Sequence, residues 1–106
     1  MRSVGKLSFV DLAGSDRMKC SDTMGDQRHE ALHVSRSLGA LADVLVARER
    51  RVPHVPYRNS KLTQVLQDVL GVGGRHRVVV IVTLTPARSA LGDTLHALQF
   101  GSRWVE

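Results

Sequence analysis

Cysteine is nearly absent from this chain of 106 residues: Cys20 stands alone. A single thiol excludes an internal disulfide framework and suits a reducing compartment. Aromatics are as sparse, with Phe9, Tyr57, Phe100 and Trp104 scattered along the chain. That leaves no stacking platform of the kind that reads unpaired bases. No apolar run approaches the ~20 residues of a bilayer span, and the N-terminus lacks the apolar stretch of a secretory signal. Repeats and low-complexity tracts are missing too. So is the phosphate-cradling pattern Gly-x-x-x-x-Gly-Lys followed by Ser or Thr. The sole Gly-Lys pair, Gly5-Lys6, runs into Leu7 within a stretch of strand formers. The chain reads as soluble and intracellular, with no membrane partner.

What is present is positive charge. Fifteen Lys and Arg face 10 Asp and Glu, a formal charge of +5, which favours polyanionic partners without choosing among them. Arg48, Arg50, Arg51, Arg58 and Lys61 crowd around the single Glu49, and Arg75-His76-Arg77 forms a second cluster. A nucleic-acid module is one reading of this balance, and it lacks a supporting motif.

Periodicity divides the chain into strand, helix, helix, strand, helix, which places it in the α/β class. Val4 to Val10 is rich in strand formers, and Val78-Val79-Val80-Ile81-Val82 is a continuous apolar run that predicts a strand buried on both faces. Ala31, Val34, Leu38, Leu41 and Leu45 recur at helical spacing. Leu62, Val65, Leu66, Val69 and Leu70 do the same after a cap at Asn59 or Ser60, and Gly71 with Gly73-Gly74 stops that helix. Leu91, Leu95, Leu98 and Val105 mark a third stripe, and Phe9 and Phe100 read as core. Two strands alone make a poor sheet, so Val78 to Val82 is expected to need sheet neighbours that these residues do not provide.

Two motifs carry chemistry. Asp11 and Gly14 form Asp-x-x-Gly at the end of the first strand. A carboxylate there can hold magnesium through water, and glycine lets a backbone N–H approach a γ-phosphate. Standing alone, the pattern is more often a plain turn. His29-Glu30-Ala31-Leu32-His33 matches the His-Glu-x-x-His of zinc peptidases on a helix, with Glu30 placed to activate a metal-bound water. The extended pattern fails, because Arg36 and not glycine follows His33 by three residues, and no third ligand has a recognised spacing.

The run His54-Val55-Pro56-Tyr57-Arg58-Asn59-Ser60-Lys61-Leu62-Thr63, with Asp11-Leu12-Ala13-Gly14-Ser15, resembles two hallmark segments of the kinesin motor domain in order and separation. Ser37-Leu38-Gly39-Ala40-Leu41, the spacing from Gly14-Ser15-Asp16-Arg17 to Glu30-Ala31, and Asp93-Thr94-Leu95 with Phe100 extend the resemblance over residues 1–106. It covers the C-terminal third of such a motor. The elements run from switch II strand and loop, through switch II helix and microtubule-binding loop and helix, to the last strand and final helix.

The resemblance implies a P-loop NTPase fold whose complete form is a microtubule-stimulated ATPase using ATP and magnesium. It makes Asp11, Gly14 and Asp16 the catalytic and nucleotide-sensing residues of a complete motor. Asp16 stands in place of a glutamate that pairs with a switch I arginine, one methylene shorter, and Ser35 in place of an asparagine. The family's switch I motif, Ser-Ser-Arg-Ser-His, is missing, so no ATP turnover is expected from these residues alone. Arg58 and Lys61 match the family's microtubule-contacting positions, with Arg48, Arg50, Arg51 and His54 around them. The sequence stops soon after its last helix without an evident neck linker. That suggests the C-terminal-motor, minus-end-directed class, at cytoplasmic microtubules and by extension spindle or centrosome. A non-motor microtubule-binding or regulatory isoform is the alternative.

Overall fold

The computed structural model describes residues 4–14, 26–71 and 76–103, with the side chains of residues 26–28 excepted. Three α-helices carry the ordered packing: α1 (Asp26–Glu49), α2 (Lys61–Leu70) and α3 (Leu91–Ser102). One-turn 3-10 helices, Tyr57–Asn59 and Arg88–Ala90, lead into α2 and α3.

Helix α1 divides into two unlike halves. Leu38, Ala40, Leu41, Ala42, Val44, Leu45 and Ala47 are buried, whereas Ala31 and Val34 are half-covered and Leu32 is 46% exposed. The helical period is continuous, but among the described residues only its second half meets a partner. That partner is α2, and the shared core is Leu41, Val44, Leu45, Tyr57, Leu66 and Leu70, with Val55 and Leu62 packed against it.

The end of α1 is a Schellman motif. Val52 N–H bonds to the Ala47 carbonyl at 3.1 Å and Arg51 N–H to the Arg48 carbonyl at 3.0 Å, the paired bonds that satisfy a helix's last carbonyls. Arg51 fills the left-handed position, φ 52°, where glycine is favoured because a Cβ there crowds the carbonyl oxygen. Helix α2 begins as its sequence predicts. Ser60 is extended, and its Oγ accepts the Thr63 N–H at 3.1 Å. It ends at Gly71, φ 73°, whose N–H bonds to the Gln67 carbonyl. A Cβ at Gly71 would overlap the His76 ring as it lies, and the positive φ by itself favours glycine here. Val65, assigned by periodicity to the apolar stripe, instead points outward at 73% exposure, and fully buried Thr63 takes a place on the inner face.

The α/β expectation is met only in its helical part. Residues 4–14 and 76–87 form no regular element, and among the described residues there is no β-strand. Val78 to Val82 is therefore not buried on both faces: Val78 and Val80 are each 37% exposed, Val79 and Ile81 77% and 81%. This alternation is what an extended chain produces when it is covered on one side only. Phe9, expected in the core, is 88% exposed, alongside Val4 and Leu7. Backbone N–H and C=O groups of a strand need a neighbouring strand to pair with, and none lies beside them among the described residues.

On its covered side the second extended segment meets α3. A Cβ on Gly101 would come within 2.9 Å of Val82 Cγ2, the Thr94 hydroxyl donates to the Thr85 carbonyl at 3.0 Å, and Ala97 is buried. The stripe Leu91, Leu95 and Leu98 stays 61%, 51% and 48% exposed. Accessible surface gives the sum: 9243 Å² for 11.7 kDa, against about 5,900 Å² for a compact monomer of that mass. The radius of gyration, 15.9 Å, likewise exceeds the roughly 13 Å of a compact domain this long. The apolar segments expose surface that a complete core would cover.

Candidate functional site

The basic connection between α1 and α2 is the most firmly built part of the molecule. Pro56, at φ −80° and ψ 63°, is the centre of an inverse γ-turn closed by Tyr57 N–H to the Val55 carbonyl at 2.8 Å. Proline fixes the φ that this turn requires. The turn drives Tyr57 into the core, 6% exposed. Its backbone and side chain then hold opposite ends of α2. The buried Thr63 hydroxyl donates to the Tyr57 carbonyl at 2.6 Å, and the Tyr57 hydroxyl donates to the Gly71 carbonyl at 3.2 Å. Ser60 Oγ lies 2.9 Å from Thr63 Oγ1, which completes the partners of a hydroxyl that water cannot reach.

Around this anchor the charged side chains stand outward. Arg58 and Lys61 are exposed on either side of the Ser60 cap, and Gln64 Nε2 steadies the Arg58 carbonyl at 3.2 Å. Arg50, Arg51 and His54 are exposed on the preceding loop. Arg48 is half-buried and turns back, its Nη2 3.4 Å from the His76 carbonyl. That contact brings the second basic segment, His76-Arg77, to the end of α1, a juxtaposition no spacing in the sequence announces. The one ion pair among the described residues is Arg103 with Asp43, at 3.9 Å, so the connecting cations are not neutralised by described carboxylates. Cations at the end of α1 are also favoured by the helix dipole.

The nucleotide-sensing residues are placed differently. Asp11 and Gly14 lie on the exposed extended segment, where Asp11 has no hydrogen-bond or ion-pair partner among the described residues, and Asp16 falls outside them. No helix N-terminus or lysine faces Asp11 in a described contact. His29, Glu30 and His33 are exposed on α1, and among the described residues no three His, Cys, Asp or Glu side chains gather to hold a metal. Nor is any described helix long and apolar enough to cross a membrane.

Comparison with known proteins completes this picture. The kinesin motor domain family matches residues 1–106. Kinesin-like protein KIN-14I of Arabidopsis thaliana is 48% identical over 99 residues, 93% of this chain and 10% of the relative. KIN-14F of Arabidopsis thaliana is also 48% identical, and KIN-14P of Oryza sativa subsp. japonica 44%, over the same share of this chain and 9% and 10% of theirs. The chain thus spans about a tenth of the length of these relatives. A solved structure described as showing a signalling pathway for activation of the kinesin motor ATPase superposes with a TM-score of 0.77 at 38% identity, covering 89% of this chain and 29% of that one. With matched residues running from the first to the last and the helical hairpin in place, this chain belongs to the kinesin motor domain family.

Proposed function

We propose that residues 1–106 supply the filament-binding face of a kinesin motor, with the microtubule as partner. The observation that carries this is the exposed Arg58 and Lys61, held by the buried Tyr57–Ser60–Thr63 network at the tip of a basic hairpin. Unneutralised cations on a rigid support attract and orient an acidic filament surface. Arg50, Arg51 and His54 extend that face along the loop, and Arg48 braces it from behind. The complete motor is ATP-driven and of the kinesin-14 type, moving toward minus ends on cytoplasmic, spindle or centrosomal microtubules. Asp11, Gly14 and Asp16 act there as switch II. The residues present lack a phosphate cradle, and by themselves they bind microtubules without turning over ATP.

Co-sedimentation of the chain with stabilised microtubules across a salt series, with DNA as competitor, tests the reading. Binding that weakens with salt and resists DNA is expected. Arg58→Glu with Lys61→Glu lowers affinity about 10-fold or more at low salt, with a narrowing difference as salt screens the charges. Equal affinity of wild type and double variant would remove both residues from the contact.

A further inference from the structure

His29 and His33 take no part in the filament reading. They lie on α1 one turn apart, and both are exposed. In a continuous α-helix residues four apart share a face, with Cβ atoms about 5–6 Å from each other. Two imidazoles so placed can grip one ion from the same side, as they do in zinc motifs of this spacing. Glu30, three residues before His33, adds a carboxylate beside them. We propose that His29 and His33 form a two-ligand site for a late divalent transition-metal ion, and that occupancy clamps the first half of α1 in helical form.

The donor set fixes the class of ion. Imidazole suits zinc, copper and nickel, whereas magnesium and calcium take oxygen ligands. Two imidazoles leave coordination positions open, which water can fill. The consequence follows from linkage. The pair converges only on a helical backbone, so an ion that binds this geometry in preference to the uncoiled chain stabilises the helix. The clamp falls where packing contributes least: Leu32 is 46% exposed, and continuous burial on α1 begins only at Leu38.

Ni(II), added to the full chain and followed by titration calorimetry and far-ultraviolet circular dichroism, is the probe. One tightly held ion per chain and a gain in helical signal are expected, with no response to Mg(II). His29→Ala and His33→Ala, at exposed positions, each weaken the tight site about 10-fold or more and remove the helical gain. Ala31→His combined with His33→Ala keeps the histidine count but sets the pair two residues apart, on different faces, and behaves like the single variants. Unchanged nickel affinity in His29→Ala or in the repositioned variant would overturn the proposal. Binding that leaves the helical signal unmoved would overturn the clamp.

Discussion

The segments that flank the hairpin of α1 and α2 are richer in apolar residues than the hairpin itself, and opposite in outcome. Leu41, Val44, Leu45, Leu66 and Leu70 are buried, while Val4, Leu7, Phe9, Val79 and Ile81 stand between 77% and 90% exposed. A helix satisfies its own backbone, so once formed it needs only an apolar stripe and a neighbour, and α2 is close in sequence. A strand leaves its backbone donors and acceptors to another strand. Hydrophobicity decides what would be buried, and the ladder decides whether it can be.

Core truncation should separate the two regions most sharply. Leu66→Ala is expected to cost about 2–5 kcal/mol in denaturant unfolding, the range for truncating a buried leucine, whereas Ile81→Ala shifts the same transition by less than about 0.5 kcal/mol. Equal losses at both positions would erase the distinction. A smaller effect is expected of Thr63→Val, which keeps the volume and deletes the hydroxyl. It strands the buried Tyr57 carbonyl and costs about 1–3 kcal/mol, so a neutral result would mean that the network does not hold the hairpin. The smallest change runs in the opposite direction. Arg51→Gly relieves about 1–2 kcal/mol of left-handed crowding and returns about 0.4–1 kcal/mol through unfolded-chain entropy. A net gain near 0.5–1 kcal/mol is expected in the same unfolding measurement, together with weaker microtubule binding.

The helices were legible because their signals are local. Helical spacing located α1, α2 and α3, a cap was expected at Asn59 or Ser60 and is Ser60, and Gly71 marked a stop. The strand expected over residues 78–82 did not follow, because a run of valines carries no information on whether pairing partners are at hand. Val65 fits the helical stripe by spacing yet faces outward, since the inner face is taken up by Leu62, Leu66 and Leu70 with Thr63 between them. The Schellman end escaped notice because its left-handed residue is arginine, where the sequence pattern to look for is glycine. The Arg48 contact to the His76 carbonyl joins residues 28 apart, and no periodicity reports such a closure. At the candidate site, Arg58 and Lys61 were found from the motif, and the support beneath them came only from the coordinates.

Tyr57 holds the first turn of α2 through its carbonyl and the last residue beyond it through its hydroxyl. A helix tied at both ends to one residue behaves as a strut with a single fastening: it can tilt, but it cannot slide along its axis or unwind from either end without breaking one of the two bonds.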